Sequence, residues 1–108
     1  MSMTLMNAVS VASATNSSAM TLSLDTCVSF YVEWTGDTTG TLYLQVSNDS
    51  TNWVTTSEVF PANPAGSSSS TAEVWSGFGY KYARVRYVPS GGSGTRTMTV
   101  KAFSKRGV

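Results

Sequence analysis

The stretch Cys27-Val28-Ser29-Phe30-Tyr31-Val32-Glu33-Trp34 decides the fold. Val28, Phe30, Val32 and Trp34 occupy every second position, with Cys27, Ser29, Tyr31 and Glu33 between them. A period of two puts the first set on one face of an extended strand, whereas a helix would scatter it. The β-branched and aromatic residues suit a pleated, half-buried surface. The alternation places Trp34 in the core and leaves Cys27 on the opposite face as a filler thiol.

Outward from this strand the same period recurs. Met20, Leu22 and Leu24 alternate with Thr21 and Ser23 on its N-terminal side. On its C-terminal side residues 35–40 carry two glycines, which predict a chain reversal. Leu42, Leu44 and Val46 then form a second inward face. Residues 47–52 (Ser-Asn-Asp-Ser-Thr-Asn) read as a turn closed by its own side chains. The strand that restarts at Trp53 predicts a hairpin capped by that tryptophan. Residues 61–70, with two prolines and four consecutive serines, predict a surface loop. Further strands are expected near 71–75, 80–88 and 97–102, separated by glycine-containing turns at 76–79 and 89–94. In 80–88, Ala83, Val85 and Tyr87 share one face; Tyr80, Tyr82, Arg84 and Arg86 share the other.

No helical period persists. The expected architecture is therefore all-β: an antiparallel β-sandwich, jelly-roll-like, of about seven or eight short strands. Residues 19–108 form this single domain. Residues 1–18 are expected to be an N-terminal arm or a short edge strand, with Leu5, Met6 and Val9 meeting a neighbour. Deleting them is expected to abolish assembly.

Composition removes several functions. The chain has 108 residues, 41% hydrophobic but only 12% charged, with a formal net charge of +1. A general nucleic-acid binder needs many phosphate-neutralising cations, so none is expected here. Arg96, Lys101, Lys105 and Arg106 near the C-terminus are expected on a solvated face and tail. No apolar run approaches a membrane span, and no signal peptide is read at the N-terminus. The triplets at Asn16 and Asn48 are chance matches to a glycosylation signal. Without histidine there is no Ser-His or Cys-His catalytic pair, and one cysteine cannot build a zinc site or an intrachain disulfide. The six acids, Asp25, Glu33, Asp37, Asp49, Glu58 and Glu73, are too scattered to expect a carboxylate dyad. Asn48, Asp49 and Asn52 fit an Asx turn better than a calcium loop. No enzyme, cofactor or metal is expected.

What remains is surface. Tyr80, Tyr82, Arg84 and Arg86, with Trp53, are the residue types that anchor protein interfaces. The same tyrosines with Tyr87 and the arginines also suit a stacking platform for sugars or single strands.

The order Gly40-Thr41-Leu42-Tyr43-Leu44-Gln45-Val46-Ser47-Asn48-Asp49-Ser50-Thr51-Asn52-Trp53, then Tyr80-Lys81-Tyr82-Ala83-Arg84-Val85-Arg86-Tyr87, then Ser93-Gly94-Thr95 and Lys105-Arg106-Gly107, resembles a group of small tailed-phage virion structural proteins. The resemblance covers residues 30–107. It departs at Ser50, where the pattern favours glycine, and at the serines 67–70. It implies a decoration-like, capsid-associated virion protein, with a tail or adaptor component as the alternative. Implied partners are the major capsid protein or other virion proteins, and further copies of the chain as a trimer or larger. The implied location is the virion, assembled in the host cytoplasm. Ser47-Asn48-Asp49 with Trp53 and residues 81–86 are also similar to discoidin-type carbohydrate-binding sandwiches. That likeness implies a sugar site at Tyr80, Tyr82, Trp53 and Arg84.

Overall fold

The architecture follows from two strands far longer than the local signals suggest. The computed structural model describes residues 2–22, 25, 27–59, 69–76 and 80–106. Leu24, most of the serine-rich loop, the turn at 77–79 and the last two residues lie outside this set. Among the described residues there are seven strands and no helix: β1 (Ser2–Ser10), β2 (Thr15–Asn16), β3 (Met20–Thr21), β4 (Cys27–Ser47), β5 (Val54–Val59), β6 (Ser69–Ser76) and β7 (Tyr82–Lys105). Every pairing is antiparallel.

β4 and β7 pair along almost their whole length, from Cys27 opposite Lys105 to Ser47 opposite Tyr82. The expected reversals at 35–40 and 89–94 are therefore not reversals. They face each other across the ladder, with Asp37 opposite Ser93 and Gly40 opposite Pro89. Together they bend the two-stranded ribbon. At about 3.3 Å per residue, the 21 residues of β4 would span roughly 70 Å if straight, yet the longest dimension of the molecule is 40 Å. Gly36 and Gly92 occupy the bend with φ of 83° and 95°. A Cβ on either would strike the backbone of the opposite strand, at Thr95 or Asp37. Only glycine fits there.

The bend divides the sheet into two tiers. In the first, β1 and β6 flank the Cys27 end of β4 and the Lys105 end of β7. In the second, β2 and β3 flank the Tyr82 end of β7, and β5 flanks the Ser47 end of β4. The tiers share one buried cluster, to which Phe30, Val32, Trp34, Met98 and Val100 come from the first and Leu42, Leu44, Val46, Val85 and Tyr87 from the second. The result is a sandwich folded from one continuous sheet.

Parity records the bend. Between the Trp34–Met98 pair and the Leu42–Tyr87 pair, β4 advances eight residues and β7 eleven. An odd excess flips the inward set of the bulged strand. The buried apolar residues of β4, Val28, Phe30, Val32, Trp34, Leu42, Leu44 and Val46, all fall at even positions. β7 buries Ala83, Val85 and Tyr87 before the bend and Met98, Val100 and Ala102 after it. At the bend, buried Thr38 donates its hydroxyl proton to the Thr35 carbonyl at 3.2 Å, so its polar group is satisfied.

Residues 2–22 line the outer edge of β7 along both tiers. Val11 N–H bonds the Arg96 carbonyl (3.1 Å), and Leu22 N–H bonds the Lys81 carbonyl (2.7 Å). Ser17 pairs twice with Val85: its N–H donates to the Val85 carbonyl (2.9 Å) and its Oγ accepts the Val85 N–H (3.0 Å). β1 breaks register between Thr4 and Met6 and again between Met6 and Val9. The first break lets consecutive Leu5 and Met6 both turn inward, at 4% and 2% exposure. Leu5 and Met6 therefore belong to the domain's own core, which corrects their expected place at a partner surface. Val9 packs partly buried beside them.

Candidate functional site

The outward side of the second tier gathers most of the remaining candidates. Arg84 and Arg86 project from β7 opposite Gln45 and Tyr43 of β4, because the inward positions between them are taken by Ala83, Val85 and Tyr87. The Arg84 guanidinium lies over the Trp53 ring, 4.2 Å from its centroid. Its Nε donates to Gln45 Oε1 at 2.8 Å, and Gln45 Nε2 donates to Thr55 Oγ1 at 2.9 Å. Three strands are thus tied by one polar chain capped by a cation–π contact. Burial, with Arg86 as the lesser cause, pulls the Arg84 pKa below the usual arginine value. Arg86 donates to Asn16 Oδ1 of β2 at 2.9 Å.

Trp53 is held from the other side by the turn that precedes it. Its Nε1 donates to the Ser50 carbonyl at 3.3 Å. Asp49 accepts the backbone N–H groups of Thr51 (2.9 Å) and Asn52 (2.8 Å), the Asn52 amide (2.8 Å) and the Ser47 hydroxyl (2.9 Å). These bonds, led by those from the backbone, hold the Asp49 carboxyl well below its ordinary range. Ser47 Oγ in turn accepts the N–H groups of Asp49 and Ser50 at 3.2 and 3.0 Å. Asn48 Oδ1 accepts the Lys81 N–H at 3.1 Å, which fastens the turn to the start of β7. Ser50 takes a positive φ of 61°, the conformation for which glycine is the usual choice. This is a self-closed Asx turn, with its carboxylate engaged by the turn's own donors.

The structure brings Trp53, Arg84 and Arg86 onto one face, with half-buried Tyr82 one row along, opposite Ser47. Tyr80, two residues before the start of β7, is 43% exposed. Tyr87 does not join them. It is fully buried on the core side, and burial raises its pKa. Its hydroxyl has no hydrogen-bond partner among the described residues. Leu5, Met6 and Val9 lie in β1, on the other tier. Gln45 was not among the candidates, although it is the residue that fixes Arg84. Its place on the outward side of β4 was readable from the alternation, but its cross-strand partner required the register.

The fold and this face define a small antiparallel β-sandwich domain whose ordered polar-aromatic surface rests on a bent two-stranded ribbon. Residues 2–101 match the model of the family described as the N-terminal domain of the uncharacterised protein YqxG, and the chain belongs to that family. Among solved structures, the crystal structure of the SPBc2 prophage-derived protein YomS is similar. Its TM-score is 0.57 at 10% identity, covering 95% of this chain and 91% of that one. At that identity the likeness is one of fold. No curated protein matches the chain in sequence.

Proposed function

We propose that this protein is a non-enzymatic structural component of a bacteriophage particle, a head decoration or capsid-associated protein in the first instance. The observation that carries the reading is the end-to-end correspondence in fold with a prophage-derived protein. The sequence adds to it. A chain with few charges and no histidine is suited to packing against neighbours rather than to proton transfer. Its partners in this reading are the major capsid protein or another virion protein, and further copies of itself. Tyr80, Tyr82, Arg84 and Trp53 are the surface offered to them. A sugar platform on the same residues is less well supported, since Arg84 covers one face of Trp53 and Tyr87 is turned inward.

The test is protein mass spectrometry of gradient-purified particles from a phage encoding the chain. Stoichiometric recovery with the capsid supports the head role. Recovery only with purified tails moves the protein to the tail or adaptor position. Absence from intact particles overturns the proposal.

A further inference from the structure

The two tiers differ in the charge of their outward sides. On the first, where Tyr31 and Phe103 are 41% and 48% exposed, Glu33 stands with Lys101 and Lys105, so both signs are present. On the second, β7 carries Arg84 and Arg86, and β4 sets the uncharged Tyr43, Gln45 and Ser47 beside them. Lys81 is exposed just before β7. Asp49, in the turn beside Trp53, has both carboxylate oxygens engaged by the turn's own donors.

Both arginines are held by neutral acceptors. Arg84 uses Nε on Gln45 and lies over Trp53, and Arg86 uses one terminal nitrogen on Asn16. Neither forms an ion pair with a described residue. Among the described residues, the two terminal nitrogens of Arg84 and the Nε and second terminal nitrogen of Arg86 donate to nothing.

We infer that this face docks an acidic segment of a virion partner, an extended stretch with carboxylates at alternate positions. Arg84 and Arg86 are two residues apart on one strand, roughly 7 Å along its axis. Like charges at that spacing disfavour one another, as the effect of Arg86 on Arg84 shows. An extended partner repeats its side chains at the same interval, so two carboxylates meet two guanidiniums in register. The planar fork of each arginine suits a carboxylate. Trp53 and half-buried Tyr43 and Tyr82 add apolar area beside the charges. Little freedom is lost on docking, because Arg84 is already fixed by Gln45 and Trp53, and Trp53 by the Ser50 carbonyl. A single-stranded nucleic acid also repeats its anions, but a chain of net charge +1 lacks the long-range attraction such a ligand needs. The inference rests on the structural role proposed above and names the chemistry of the partner at that surface.

The test is a heteronuclear NMR titration of the full chain at roughly 50 mM salt, where screening is weak. The probes are a capped hexapeptide of alternating glutamate and threonine, its glutamine counterpart, and single-stranded hexathymidylate. The glutamate peptide is expected to shift the Arg84 Nε–H and Trp53 indole signals saturably, with a Kd of about 1 mM or below. The glutamine peptide is expected to bind at least about tenfold more weakly, and Arg86→Gln to weaken the glutamate peptide about fivefold, the loss of one exposed charge pair. Lys105→Gln, on the other tier, should change nothing. Should Arg86→Gln not fold, Arg84→Gln serves in its place, and the comparison of the two peptides on the wild type needs no variant. Equal binding of the two peptides, no saturable shift, binding indifferent to these arginine variants, or tighter binding of the thymidylate each overturns the inference. Recovery of an Arg84→Gln/Arg86→Gln chain in particles at the wild-type level overturns the acidic contact and leaves the virion role standing. A wild type that binds the glutamate peptide but is missing from particles overturns the virion role and leaves the acidic-segment site.

Discussion

Replacing Gly36 with alanine tests whether the bend in the long ribbon is what holds the two tiers together. Gly36 has φ +83°, and a Cβ built there meets the Thr95 carbonyl oxygen of β7, a backbone atom that cannot rotate away. The left-handed conformation costs an alanine about 1–2 kcal/mol. Displacing the opposite backbone adds about 1–3 kcal/mol, as overpacking does elsewhere. The stiffer unfolded chain returns about 0.4–1 kcal/mol. The net loss is about 1–4.6 kcal/mol, which in a domain of this size lowers the melting temperature by roughly 5–25 °C. The same bend contains its own control. Gly91 requires no positive φ, and the nearest atom to its Cβ position is Thr39 Cβ at 3.8 Å. Gly91→Ala is therefore expected to leave stability unchanged or to raise it by up to about 1 kcal/mol. Gly94→Ala falls between the two, because φ is +75° but nothing lies within 4 Å. Differential scanning calorimetry of the three variants gives the ranking. If Gly36→Ala melts within a few degrees of the wild type, or Gly91→Ala loses as much as Gly36→Ala, the residues at the bend are not arranged as described.

Ser17→Ala removes the acceptor for the buried Val85 N–H, whose loss is expected to cost about 1–3 kcal/mol. Urea unfolding followed by tryptophan fluorescence measures it, and a shift below about 0.5 kcal/mol would contradict so large a desolvation penalty. The Asp49 turn predicts a pH dependence. Its carboxyl titrates below the ordinary aspartate value of 3.8 in the folded chain, so its stabilisation is complete above the unfolded value and is lost as pH falls towards the folded one. Asp49→Asn should therefore flatten the decline of melting temperature below about pH 4. Parallel curves for variant and wild type across that range would show that Asp49 does not carry it.

Strand character was legible because alternation is local. Val28 to Trp34, Leu42 to Val46, Ala83 to Tyr87 and Met98 to Ala102 each announce an inward face within a few residues, and all four are buried on that face. The Asx turn was legible for the same reason, since Ser47, Asp49 and Asn52 bond within their own loop. The N-terminal segment was less clear. Leu5 and Met6 are adjacent, which breaks a period of two, and only the register slip against β7 explains why both are buried. The candidate face was half visible: the arginines and Trp53 stand out in the chain, whereas Gln45 and Asn16 acquire their roles only across strands.

By itself, the amino-acid order determined which residues extend, which face the interior and where the chain must take conformations that favour glycine. Whether a glycine-rich segment reverses the chain or merely bends it was decided by tertiary structure. Gly36 and Gly92 have the same local preferences in either case. The difference lies in which backbone sits across the ladder, and residues 35–40 find residues 89–97 there. Long-range pairing between segments about 50 to 60 residues apart thus turned two expected turns into one folded ribbon. That pairing also drew Leu5 and Met6 inward and left Tyr31 and Phe103 on the outside.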